Sequence, residues 1–117
     1  MSNDDLFENA RIAVALRAGR TAIGWNQLEF AEKLGVAKST IARIETLEMS
    51  PKADLIMRAM RLFRESGIEI DLYKATECSI NINALAVSEA ISRLRDESKR
   101  RSDRRGIRGL LPPDSDL

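Results

Sequence analysis

The stretch WNQLEFAEKLGVAKSTIARIE, residues 25–45, decides the fold. Asn26 has the short polar side chain of a helix N-cap, and Glu29 stands three residues later, where a capping box places the acid that bonds back to the cap. A helix is therefore predicted from Gln27. Leu28, Ala31 and Leu34 recur at helical spacing, and Gly35 follows at the point where a residue free to take positive φ ends a helix. Val36 then closes a tight turn against the core. Ile41 and Ile44 form the apolar stripe of the next helix, which leaves Lys38, Ser39, Ala42 and Arg43 on or near the opposite face. Two short helices joined in this way make a helix-turn-helix, whose second helix shows polar side chains outward while the first braces it. That arrangement suits the second helix to the major groove of DNA.

Upstream, residues 5–22 read as one amphipathic helix, with Ile12, Ala15, Leu16, Gly19 and Ile23 on one side and Arg11, Arg17 and Arg20 elsewhere. Gly19 costs about 1 kcal/mol against Ala in a helix interior, and a close approach by another helix would explain it. Downstream, TLEMSPK is a loop, and Ser50-Pro51 marks entry to a helix over residues 51–65 with Leu55, Ile56, Ala59, Leu62 and Phe63 inward. Gly67 stops it. Four helices with short connections predict a compact helical domain over residues 5–67.

Beyond Gly67 the period changes. Ile68, Ile70 and Leu72 alternate with polar residues, and alternation resumes from Cys78 to Asn83, so two short strands in a hairpin are predicted. A lone hairpin is marginal in water, so its apolar face needs a partner. Asn83 is placed to cap a helix reaching about residue 101, in which Ala84, Val87, Ile91 and Leu94 repeat at spacings of three and four. This seam is too short for a convincing coiled coil and predicts a packing helix. Residues 68–105 thus form a hairpin-plus-helix appendage, read as a dimerisation unit. The basic run Lys99, Arg100, Arg101, Arg104, Arg105 and Arg108 leads into a Pro-containing acidic end, and residues 106–117 are predicted to be disordered. Two readings stand for the basic run: a tail along DNA phosphates, or a solvated helix end favouring its own dipole.

Composition limits function. A chain of 117 residues has room for one small domain and an appendage, not for a large catalytic cleft. With 19 Lys and Arg against 18 Asp and Glu, the net charge is +1, so any nucleic-acid surface rests on local clustering. That favours a site-specific binder over a general coating protein. The single Cys78 excludes an intramolecular disulfide and reads as a small buried strand residue. The lack of His removes the commonest metal ligand and general base, so zinc and hydrolytic chemistry fall away and no cofactor is called for. No apolar run approaches the roughly 20 residues needed to span a bilayer, and the acidic start MSNDDLFENA is unlike a signal peptide, which predicts a cytoplasmic protein. Trp25, beside an N-cap, reads as a hydrophobic staple or core plug in preference to a base-stacking residue.

From about Arg11 to Ile70 the chain resembles the DNA-binding domain of the phage-repressor and xenobiotic-response-element regulators, the lambda-repressor-like family. The resemblance rests on Gly24-Trp25-Asn26-Gln27 entering the first motif helix, on Ala31, Gly35, Val36, Ile41, Ile44 and Glu45, and on Ser50-Pro51. It implies a mainly α fold of four to five helices, here followed by the hairpin and helix, which resemble nothing nameable. It implies that Gln27 clamps a phosphate and sometimes reaches a base. By the same resemblance Lys38, Ser39 and Arg43 read base edges and Thr40 supports a backbone contact, while Thr46, Ser50 and Lys52 lie in or near a loop touching the sugar-phosphate strand. Lys and Arg suit guanine O6 and N7, in agreement. The resemblance also pairs Arg20 with Glu45 as a structural salt bridge. Three positions depart from the pattern: Ala37 stands where a Ser or Thr cap is favoured, Leu47 where Gly is usual, and Glu48 puts an acid near the phosphates.

These readings converge on a homodimeric, sequence-specific transcription regulator, a repressor acting on double-stranded DNA with a palindromic operator, with no catalysis and no membrane. Another class remains open beside it: an antitoxin-like interaction protein whose C-terminal half clasps a protein partner and whose DNA binding serves self-control. A packed helical pair that binds no nucleic acid is the plain alternative to both.

Overall fold

The computed structural model describes residues 3–96. Helices α1 (Asn3–Ile23), α2 (Gln27–Leu34), α3 (Lys38–Glu45) and α4 (Ala53–Glu65) precede strands β1 (Ile68–Asp71) and β2 (Ser79–Ile82), and α5 (Ala84–Arg95) follows. The chain is mainly α, as the periodicity predicts, with a two-stranded antiparallel hairpin pairing Ile68 with Ile82 and Ile70 with Ile80. The expected tail over residues 106–117 and the basic run from Lys99 to Arg108 lie outside the described residues.

The capping box forms as the sequence predicts: the Asn26 side chain accepts from the Glu29 amide at 2.8 Å, and the Glu29 carboxylate accepts from the Asn26 amide at 3.0 Å. At the other end of α2, Gly35 takes φ 74°, and its neighbour Val36 donates to the Ala31 carbonyl at 3.0 Å. The left-handed residue turns the chain so that orphan carbonyls find donors. Arg58 of α4 adds a cap from outside the motif, donating to the Leu34 carbonyl at 2.5 Å.

One core joins the elements, and Phe30, Phe63, Leu16, Ile41, Ile44 and Ile68 are its largest fully enclosed side chains. Each contributes about 1.5–3 kcal/mol by leaving water. Phe30 and Phe63 stack with centroids 5.4 Å apart, and Trp25 stacks on Phe30 at 6.1 Å, so Trp25 plugs the core and is covered on its outer side by the Lys33 ammonium, 5.0 Å from the ring. Gly19 is where α1 meets Phe63: a Cβ there would lie 2.5–2.8 Å from three ring atoms. Ile68 of β1 and Ala86 of α5 belong to this same core.

Several expectations from periodicity are corrected. Leu28 is 49% exposed, and Phe30 takes its place in the core, because the inward face of α2 runs through Gln27, Phe30, Ala31 and Leu34. α1 starts at Asn3, earlier than residue 5, while α4 starts at Ala53, after Pro51 and Lys52, both of which stay in the loop. Each strand is four residues long, so Leu72 and Tyr73 fall in the turn; Cys78 precedes β2 and is half-buried, not a buried strand residue. α5 ends at Arg95, with Asp96 extended, short of residue 101: Arg93, bonded to the Ile23 and Ala22 carbonyls, is the last of its side chains that the described contacts hold against the domain.

Candidate nucleic-acid interface

α3 packs through Ile41 and Ile44, both 1% exposed, and its solvent side is therefore fixed by helical geometry. Ser39, Arg43 and Thr46 lie on that side at spacings of three and four, with half-buried Ala42 between them and Lys38 at the N-terminal edge. Thr40 is half-buried and its amide donates to the Ala37 carbonyl at 3.0 Å. Ala37 takes the extended N-cap conformation without a side-chain hydrogen bond, so the first turn of α3 leaves its amides uncapped by any side chain. Lys38, Arg43 and Lys52 are exposed, and among the described residues none carries an acid partnered to them.

The angle at which α3 is held depends on a polar network beneath it. Arg20 Nε and Nη2 each donate to a different oxygen of Glu45 at 2.9 Å, and Nη1 donates to the Trp25 carbonyl at 2.9 Å. The Arg20 and Glu45 side chains are only 11% and 4% exposed. Gln27 occupies the first inward position of α2, and its Nε2 donates to Glu45 Oε1 at 3.2 Å. One carboxylate at the end of α3 is thus tied to α1 and to the start of α2. This holds the Gln27 side chain against the end of α3.

After Glu45 the chain leaves the helix through Leu47 at φ 64°, the left-handed conformation that favours Gly and that Leu occupies at a cost. The amides of Glu48 and Met49 donate to the Arg43 carbonyl at 2.8 and 3.2 Å, which closes the turn. Within this loop the candidate phosphate contacts differ. The Thr46 hydroxyl donates back to the Ala42 carbonyl at 2.9 Å, so in this state its proton is committed to its own helix. The Ser50 hydroxyl instead accepts from Asn9 Nδ2 at 2.7 Å, leaving its own proton available to an outside acceptor. Lys52 is the exposed N-cap residue of α4. Asn9 and Arg58 position this surface without any periodic signal in the sequence, since their partners lie 41 and 24 residues away.

Among the described residues no group of three or more His, Cys, Asp or Glu side chains is arranged to hold a metal ion, and no helix is long and apolar enough to cross a membrane. A family model described as Helix-turn-helix matches residues 16–70. Neither a curated protein nor a solved structure matches the chain.

Proposed function

Residues 16–70 belong to the lambda-repressor-like helix-turn-helix family of DNA-binding regulators, and from that premise we propose a homodimeric, sequence-specific repressor that sets α3 into the major groove of a palindromic operator. The observation that carries this reading is the outward side of α3, where Ser39 and Arg43, flanked by Lys38, stand exposed with no acid among the described residues bound to either cation. Lys38 and Arg43 would donate to guanine O6 and N7, and Ser39 would pair with a neighbouring base edge. Gln27 and the uncapped first turn of α3 would approach one phosphate strand, with Thr40 supporting that contact. Ser50 and Lys52 would meet the sugar-phosphate chain from the loop; Thr46 would do so only after releasing the Ala42 carbonyl.

A recognition helix of eight residues reads few base pairs, so two subunits on half-sites about one turn, ~34 Å, apart would supply length and affinity together. Occupancy of a promoter would exclude polymerase, a role that calls for neither catalysis nor cofactor and belongs in the cytoplasm. Selection of bound fragments from random DNA tests this directly. A two-fold symmetric consensus is the expected outcome, and failure to enrich any sequence over bulk DNA refutes it.

A further inference from the structure

α5 does not dock through its apolar seam. It rests on the domain through Ala86, which is buried, half-buried Ala90, and Arg93, whose guanidinium donates to the Ile23 and Ala22 carbonyls at the end of α1. Asn83 caps it, donating its amide to the Gly67 carbonyl at 2.9 Å and accepting from the Ala86 amide at 3.2 Å. The seam Val87, Ile91 and Leu94 consequently points sideways into solvent, at 56%, 54% and 63% exposure.

β2 lies immediately before Asn83, and its Ile80 and Ile82 share the sheet face of their register partners Ile68 and Ile70 at the rim of the core. All four of its residues are exposed, including Ile80 and Ile82. The bond from the Asn83 amide to Gly67 fixes the ladder's phase: Gly67 faces Asn83 as a hydrogen-bonded pair, so Ile68–Ile82 and Ile70–Ile80 are the non-bonded pairs. The amides and carbonyls of Ile80 and Ile82 therefore project from the free edge of the hairpin, and no described group bonds them. An open edge carrying two isoleucines, with neither Lys nor Pro to block it, is a template for another strand.

Charge is missing from this face. From Ser79 to Leu94 the only ionisable side chains are Glu89 and Arg93, and Arg93 is engaged with α1, in a chain that is 32% charged. Depletion of charge around exposed aliphatics marks the centre of a protein–protein interface. A neutral face has no sign for a charged partner to complement, but it meets a copy of itself without repulsion. With roughly 200 Å² for a fully exposed aliphatic residue, Ile80, Ile82, Val87, Ile91 and Leu94 present about 500 Å² per chain, or about 1,000 Å² for two copies, the lower threshold for a specific interface before flanking atoms are added.

We propose that a second copy of this chain covers the β2–α5 face, the two β2 edges pairing antiparallel into a four-stranded sheet and the Val87, Ile91 and Leu94 seams packing together. In the pairing that bonds Ile80 to Ile82 of the other copy and the reverse, Asn81 lies on the two-fold axis and four main-chain hydrogen bonds form. The proposal rests on the homodimer reading above and supplies its geometry.

The test is sedimentation equilibrium of the full chain, wild type and Ile91→Glu, with amide hydrogen exchange read at Ile80 and Ile82. Because Ile91 is half exposed, the substitution should leave the circular dichroism and the urea midpoint of the protomer unchanged. The wild type is expected to dimerise in the micromolar range, Ile91→Glu to weaken dimerisation by about 30-fold or more, and the two amides to be protected only in the dimer. A wild-type chain that stays monomeric at high micromolar concentration overturns the proposal, whether residues 97–117 or a different protein covers the face. So does an Ile91→Glu chain that dimerises normally, or a dimer whose Ile80 and Ile82 amides exchange freely. A dimer dissociated by Ile91→Glu that nevertheless selects no DNA sequence supports the interface and sinks the repressor reading instead.

Discussion

Substitution of Arg20 by Met should remove more stability than any other single change outside the apolar core. Met keeps much of the arginine stem's volume, so packing changes little and the loss is electrostatic. The substitution deletes two charge-assisted bonds to Glu45 and one bond to the Trp25 carbonyl, all at 2.9 Å. It also leaves the Glu45 carboxylate, only 4% exposed, with Gln27 as its one remaining donor among the described residues. Breaking a buried pair by removing one partner costs about 3–5 kcal/mol, because the surviving charge has lost both water and partner. For a small domain stable by about 5–10 kcal/mol this is a loss of about three tenths or more. Urea unfolding followed by circular dichroism would measure it, with an unchanged m-value showing that the two end states are the same. The double variant Arg20→Met with Glu45→Leu completes the cycle: with no charge left to strand, it should recover most of the loss and approach the wild type. A single variant costing under about 1 kcal/mol, or a double variant no better than the single, would refute the claim that this pair is a desolvated unit, since an exposed bridge behaves that way.

Other perturbations have expected outcomes from the same geometry. Ala37→Ser gives α3 the cap it lacks and should raise stability by about 1 kcal/mol in urea melts, without altering the sequences selected from random DNA. Gly19→Ala improves helix propensity yet places a Cβ 2.5 Å from the enclosed Phe63 ring, so thermal unfolding should show a net loss of about 1–2 kcal/mol, where an exposed site would gain. Lys38→Ala and Arg43→Ala should each relax preference at one base position by about 1–3 kcal/mol in competition binding, whereas Lys52→Ala should weaken all sequences alike and lower the salt slope by about one.

The two helices of the motif were legible because local chemistry fixed them. A capping box, a turn glycine and the Ile41 and Ile44 stripe act within a few residues of one another, and these appear where the pattern put them. Leu28 and Phe30 show where that reading ends. Either fits an amphipathic helix, and the choice falls to Phe30, on the inward face of α2, where Phe63, 33 residues later, and Trp25 offer it rings to stack on. The same holds for the surface. Side chains that face outward on α3 follow from the position of Ile41 and Ile44, but Asn9 beneath Ser50, Arg58 at the end of α2 and Arg93 at the end of α1 depend on contacts that no period encodes. The seam of α5 was visible as a pattern, while the fact that it faces away from its own domain was not, because Ala86 and Ala90 carry too little apolar weight to announce a docking face.

The placement of Glu45 explains why a polar group is spent inside so small a core. Ile41 and Ile44 drive α3 inward, but aliphatic contacts are nearly indifferent to small rotations and slides of a two-turn helix, and base edges are not. A carboxylate held by two nitrogens of Arg20 and by Gln27 has one geometry that satisfies all of its bonds. Any rotation of α3 that lengthens one bond strands charge in a dry site. The apolar stripe therefore supplies most of the attraction, and the ionic network supplies the angle. The Arg20→Met and Glu45→Leu pair separates these roles: the double variant should regain stability but read its operator less sharply than the wild type. If its base preferences matched the wild type at every position, orientation would have to come from packing alone.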